Sequence, residues 1–314
     1  TGAHSGCLRK DSEGLPGNLR GPVHGFPTGT QGKRGNLDSF RWNPRNRRFH
    51  FSFSSFLFGG DLVYGNLRGY LLEKKFMRLV EQKDLTQYPH GRLGVHDAYT
   101  FPELLRELDG QKPPFLQGFF TVSSHMPYDY EATDTWASAA NDPEKKYTEA
   151  VHYSDIQLGK FFREAKTRPW YPHTLFVVVA DHSHNSIRQW DPATAMHARI
   201  PLLFTGGALQ AIWKGKTWDK IVSQLDLAGT LLNQLHFDFH RYLWTRNIFS
   251  SKTPSSAFYV FFGGVGMVND KGYVGLRQGD NDHIQSTLQN NEEEQGMKAK
   301  AQAFQQLVYD ALPN

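Results

Sequence analysis

The stretch FVVVADHSH, residues 176–184, joins a run of β-branched and aromatic residues directly to Asp181, His182 and His184. A carboxylate beside an imidazole offers one hard oxygen and one nitrogen, a donor pair suited to Mn, Mg or Zn as a divalent ion. His125 occupies a comparable place: FLQGFFTVSSH predicts a strand that runs into it. An imidazole at a strand exit is suited to hydrogen bonding and proton transfer. Four further residues are candidate polar contacts. His96 and Asp97 lie together in GVHDAY, where Asp97 serves equally well as a helix N-cap. His197 stands just before IPLLF, and His184 is either a substrate contact or an exposed loop histidine.

The elements that must position these groups are legible from residue 51 onward. FSFSSFLFGG predicts a strand ending at Gly59-Gly60, and NLRGYLLEKKFMRLVEQ has helical spacing, with Leu67, Leu71, Leu72 and Phe76 on one side. HDAYTFPELLRELDG predicts a helix closed by Gly110. Residues 142–166 predict the longest helix, with Asp142 as N-cap, Pro143 as first helical residue and an apolar stripe of Tyr147, Val151, Leu158 and Phe162. HTLFVVVADHS and ARIPLLFTGG predict strands, and KIVSQLDLAGTLLNQL a further helix. Strand and helix in alternation specify an α/β class: a mostly parallel central sheet with helices on both faces. In such sheets ligands sit outside the carboxyl ends of the strands, where Asp181, His182 and His125 fall. A small β-rich part follows, with a hairpin turn at Asn269-Asp270-Lys271-Gly272 and an amphipathic helix near the end.

Composition narrows the function classes. The chain has 314 residues, 39% hydrophobic and 21% charged, which suits a soluble globular protein with a substantial core. No window is long and apolar enough to predict a transmembrane helix. Cys7 is the single cysteine, so no intrachain disulfide holds the fold. Residues 1–50 hold nine Lys and Arg against three Asp and Glu, together with nine of the 29 glycines, and predict an irregular basic segment. No nucleic-acid module accompanies it, so nucleic acid is not an expected partner. Three parts are expected: this segment, an α/β core over 51–250, and a β-rich tail with its helix over 251–314.

Seven stretches, taken in order, carry a resemblance: FGGDLVYGNLRGYL, GRLGVHDAYTF, FFTVSSHMPYDY, YTEAVHYSDIQLGKFFREAK, PHTLFVVVADHSH, HARIPLLFTGG and VSQLDLAGTLL. Together they resemble the alkaline phosphatase and sulfatase superfamily, and within it the lipoteichoic acid synthase-like, or phosphoglycerol transferase-like, enzymes. The resemblance implies a hydroxyl nucleophile on a divalent metal that attacks a phosphate or sulfate ester and forms a covalent intermediate. It implies Asp181 and His182 as metal ligands and His125 as the group near the leaving group or substrate head group. It places GVHDAY on a substrate loop, Asp155 in a fold-specific hydrogen bond, and Gln224 and Asp226 at a helix start held near the sheet.

The front of the chain departs from that pattern. LRKDSEGLP and HGFPTGTQ echo the family's nucleophile region, with Ser12 and Thr30 as candidate nucleophiles, and the family's first metal-binding strand has no counterpart in the sequence. The resemblance therefore implies an N-terminally shortened member, whose parent is anchored upstream in the membrane and faces the extracytoplasmic side. The expected substrates are glycerophosphate or phospholipid-type head groups. Two alternatives stand beside this: a sulfuric ester hydrolase, although Cys7 in CLRKD lacks the Cys/Ser-x-Pro-x-Arg context, and a catalytically impaired remnant.

Overall fold

The computed structural model describes residues 53–130, 142–184, 189–277, 279 and 284–311. Three parallel strands form the first sheet, in the order β2-β1-β3: β1 (Phe53–Phe58) lies between β2 (Arg78–Val80) and β3 (Phe115–Phe120). Parallel neighbours require crossovers, and the helices α1 (Leu67–Glu73) and α2 (Asp97–Asp109) lie in these connections. The sequence pattern predicted one helix through residue 82. Lys75 instead takes left-handed backbone, φ 62°, which ends the helix and frees Arg78–Val80 to pair with β1.

The long helix α3 (Pro143–Ala165) begins as expected, with Asp142 accepting from the amides of Glu144 and Lys145. Its buried face is rotated from the expected stripe, because Ser154 and Gln157 share it with Tyr147, Ala150, Tyr153, Leu158 and Phe161. Helices α2 and α3 pack together over Leu57, Phe101, Leu104, Leu158 and Phe161, the main apolar cluster. Phe101 lies 4.9 Å from Phe119 and 5.5 Å from Phe161, centroid to centroid, so this layer seats β3 on α3 through one aromatic ring.

After α3, β4 (Phe176–Val179) pairs antiparallel with β5 (Leu202–Thr205). The expected parallel continuation is not formed here: no described element between them is a helix, and without a helical crossover the chain returns as an antiparallel neighbour. Both strands are half-buried, where the apolar run FVVV predicts full burial on two faces. β4 nevertheless rests on the same helical layer as β3, with Phe176 edge-on to Phe161 at 5.8 Å and to Phe162 at 5.2 Å. A cavity of about 4370 Å³ lies between the two sheets, lined by strand and helix faces such as Phe119, Phe176, Val178 and Phe204.

The short helix α4 (Asp226–Gln234) is followed by a four-stranded antiparallel meander: β6 (Ser256–Phe261), β7 (Gly264–Asn269), β8 (Gly272–Arg277) and β9 (Ile284–Ser286). The hairpin predicted at residues 269–272 joins β7 to β8, and the Asn269 side chain accepts from the amides of Lys271 and Gly272. The final helix, α5 (Asn291–Asp310), covers this sheet through Met297 and Ala301 against Met267, Val274 and Leu276. Among the described residues no helix is long and apolar enough to cross a membrane.

One buried ion pair ties α4 to the meander. Asp226 is fully buried and accepts from Arg246 Nε at 2.9 Å and Arg246 Nη2 at 2.7 Å, while Arg246 also reaches the carbonyl of Ser256. Arg246→Met strands that carboxylate and is expected to cost about 3 kcal/mol, measured by urea denaturation. Pairing it with Asp226→Asn is expected to recover about half of the loss.

Candidate functional site

Asp181 and His182 follow β4 directly, and Ala180 between strand and site is fully buried. Their backbone is fixed from outside the strand: the Gln224 side-chain amide donates to the carbonyls of Ala180, at 2.7 Å, and Asp181, at 2.9 Å. This is the anchoring expected of the VSQLD stretch. Asp226, two residues on, accepts the Ser223 amide at 3.0 Å and so fixes the turn that presents Gln224.

The Asp181 carboxylate accepts the His182 amide at 2.9 Å, and its other oxygen lies 3.7 Å from His182 Nε2. His182 Nδ1 is 2.7 Å from the carbonyl of Ser183. A carbonyl can only accept, so Nδ1 donates in this contact, and Nε2 is the ring nitrogen through which the imidazole would bind a metal. Both side chains face solvent. One carboxylate oxygen and one imidazole nitrogen fit a divalent ion as two of its ligands; among the described residues no group of three or more His, Cys, Asp or Glu completes the shell.

His125 is set by the same device. Its Nδ1 lies 2.6 Å from the carbonyl of Met126, so the ring is oriented by its own loop. The loop that carries it is held by Asp97. That carboxylate, wholly buried, accepts from the amides of Val122 at 2.8 Å and Ser123 at 3.3 Å and from the Ser154 hydroxyl at 2.7 Å. In return Ser123 Oγ accepts the Asp97 amide at 2.8 Å. Burial pushes the Asp97 carboxyl above the usual carboxylate range, against the opposite pull of these donors.

Asp97 is therefore closed to substrate and acts as a staple between α2, the exit of β3 and α3. His96 holds the N-cap position expected of Asp97, which is the first helical residue. Ser154, the residue before Asp155, makes the hydrogen bond that ties α3 to this staple.

The two loops meet at His184, a candidate substrate contact by its sequence, and at Tyr128, which no sequence pattern singled out. Tyr128 adopts left-handed backbone, φ 60°, an uncommon conformation for an aromatic residue and a mark of a constrained site. It thereby reaches His184, with 3.1 Å between the phenol oxygen and Nε2. His184 in turn stacks on Tyr147 of α3, 3.8 Å between centroids and 11° between planes. Burial raises both phenols, Tyr147 to about 12, so both keep their protons at neutral pH. His184 is thus a joint between the loops after β3 and β4. His197 lies beside them, its carbonyl accepting from Ser183 Oγ. Ser12 and Thr30 lie outside the described residues.

A family model described as Sulfatase matches residues 21–237. The chain belongs to the sulfatase family. It is 26% identical over 187 residues to lipoteichoic acid synthase 2 of Bacillus subtilis, covering 54% of this chain and 28% of that protein. It is 24% identical over 241 residues to the lipoteichoic acid synthase of Staphylococcus saprophyticus, covering 73% of this chain and 37% of that one. The chain therefore spans about a third or less of these relatives. Among solved structures, a protein in the alkaline phosphatase superfamily from Vibrio parahaemolyticus superposes with TM-score 0.64 at 25% identity, over 77% of this chain and 58% of that one. The lipoteichoic acid synthase LtaP from Listeria monocytogenes superposes with TM-score 0.61 at 17% identity, over 83% and 70%, which supports the fold.

Asp97→Ala leaves two amides and one hydroxyl without an acceptor in a closed interior and is expected to cost about 3 kcal/mol in urea denaturation. Asp97→Asn retains one acceptor oxygen for the Val122 and Ser123 amides, so its loss is expected to be less than half as large.

Proposed function

We propose that this chain carries the ester-cleaving part of a metal-dependent phosphotransferase or phosphodiesterase of the lipoteichoic acid synthase-like group, acting on glycerophosphate or phospholipid-type head groups. The observation that carries the proposal is the joining of the His125 loop to the Asp181-His182 loop through Tyr128 and His184. That contact links the loop of the proposed leaving-group imidazole to the loop of a carboxylate and imidazole that fit a divalent ion. The kinship with proteins named lipoteichoic acid synthases supports the choice of phosphate over sulfate esters. On this reading the site works at the outer face of a membrane, where the head groups of lipids are presented to it.

Asp181 and His182 would hold two positions of the ion, which when bound lowers the pKa of an attacking hydroxyl and neutralises charge on the ester oxygens. Ser12 and Thr30 are the proposed sources of that hydroxyl. His125, with Nδ1 held by the Met126 carbonyl, meets the leaving oxygen at Nε2. There it gives up a proton as the phosphorus–oxygen bond breaks, and it takes one back from the acceptor alcohol or water that releases the phosphoryl group. Gln224 works through the backbone, holding the Asp181 carbonyl so that the carboxylate keeps its direction. His184 and Tyr128 tie the loop that carries His125 to the loop that carries Asp181.

The test is the turnover of bis(p-nitrophenyl) phosphate by the 314-residue chain with added Mn²⁺, beside p-nitrophenyl sulfate and an EDTA control. Metal-dependent cleavage of the phosphodiester is expected. Asp181→Asn is expected to lower it by at least a hundredfold, and His125→Ala by roughly 10²-fold or more. Cleavage of the sulfate alone, or phosphodiester cleavage untouched by Asp181→Asn, overturns the proposal.

A further inference from the structure

We propose that His96 and Asp129 form a proton-dependent latch that positions the loop carrying His125, an inference that rests on His125 being the group that meets the substrate. His96 is 4% exposed, and neither of its ring nitrogens has a hydrogen-bond partner. Its Nε2 lies 3.6 Å from Oδ1 of Asp129. The other oxygen of Asp129 accepts the Arg92 amide at 2.7 Å. Asp129 is four residues beyond His125 and pins the far end of the loop to the 90–95 turn. Asp97 pins the near end at Val122 and Ser123. Two adjacent residues at the start of α2 therefore hold both ends of the segment in which His125 sits.

Gly91 shows that the approach is built for this pair. A Cβ there would lie 2.3 Å from Asp129 Oδ1 and 2.6 Å from His96 Nε2, so any side chain at residue 91 would push the two apart. The chemistry follows from the protonation state. As a neutral ring, His96 offers Asp129 at most an uncharged N–H across the gap, and its buried Nδ1 has no partner in either form. As an imidazolium it presents a donor to Asp129 across the 3.6 Å gap and turns the contact into an ion pair.

The charged and titratable groups that face it come from each element packed around it. Asp97 on α2 carries a carboxyl whose ionisation the His96 charge assists, and Asp129 faces it from the loop. The 90–95 turn contributes His90, whose Nδ1 is tied to the Gly91 carbonyl at 3.0 Å, and Arg92, tied through its amide. From α3, Glu149 faces Tyr130 next to Asp129. The latch tightens as pH falls and loosens as it rises, and the mobility of the His125 loop follows.

Hydrogen exchange of residues 122–130, corrected for intrinsic rates, and turnover of bis(p-nitrophenyl) phosphate would be followed across about pH 5 to 8. The intact chain would be compared with His96→Gln, Asp129→Asn, Asp129→Glu and the His96→Gln/Asp129→Asn double variant. In the intact chain exchange is expected to slow toward low pH. Each of the first two variants is expected to lose this dependence and to exchange roughly tenfold faster at the acid end. The double variant is expected to be no worse than either, Asp129→Glu to recover part of the protection, and KM to rise more than kcat falls. Additive effects, or a pH dependence kept in His96→Gln, overturn the latch. Exchange that behaves as expected without phosphodiester turnover keeps the latch and defeats the functional proposal; turnover with exchange unaltered by the variants does the reverse.

Discussion

The carboxylate of Asp97 is the interaction on which the site depends. It is fully buried and takes three donors from two different elements, the exit of β3 and the middle of α3, while its own amide is held by Ser123. Burial disfavours a charge in that position, and the three donors offset part of that cost. The same bonds define where the chain leaves β3, and therefore where His125 stands. Nothing in the apolar cluster of α2 and α3 does this, since dispersion contacts between Phe101, Phe119 and Phe161 are non-directional and tolerate a shift that hydrogen bonds do not.

A parallel arrangement governs the second half of the site. The side chain of Gln224 takes two successive carbonyls at the end of β4, and the buried Asp226–Arg246 pair fixes the turn and helix behind it. Each half is thus a strand exit pinned by polar groups on a helix. The halves are then joined by Tyr128, His184 and Tyr147, a phenol hydrogen bond and a stacked pair. In both halves the histidine that faces outward has Nδ1 bonded to the next carbonyl along the chain or nearly so, which leaves Nε2 available in His125 and His182 alike.

The class of fold and the strand ends bearing Asp181, His182 and His125 were legible because apolar runs followed by polar side chains are a local signal. What was not legible depended on pairing and on backbone sign. The helix from residue 66 ends early because Lys75 turns left-handed, and no side-chain pattern announces that. β5 runs antiparallel to β4, with no helix among the described residues of the connection, and pairing direction belongs to that connection and not to either strand. The buried face of α3 includes Ser154 and Gln157, which count as polar in any periodicity yet are needed inside, Ser154 as a donor to Asp97. Asp97 and His96 stood out by residue type, but their burial separates them from the open groups, and burial is a tertiary fact. Tyr128 left no trace, since its function comes from a positive φ and a partner 56 residues away.

The central claim is that the exit of β4 presents a metal-binding carboxylate and imidazole. Isothermal calorimetry of Mn²⁺ with the purified chain, beside an Asp181→Asn/His182→Ala variant of matching circular dichroism, tests it most directly. The account predicts saturable binding by the native chain that disappears in the variant. Binding of equal strength in both, or no binding to either folded protein, would contradict it.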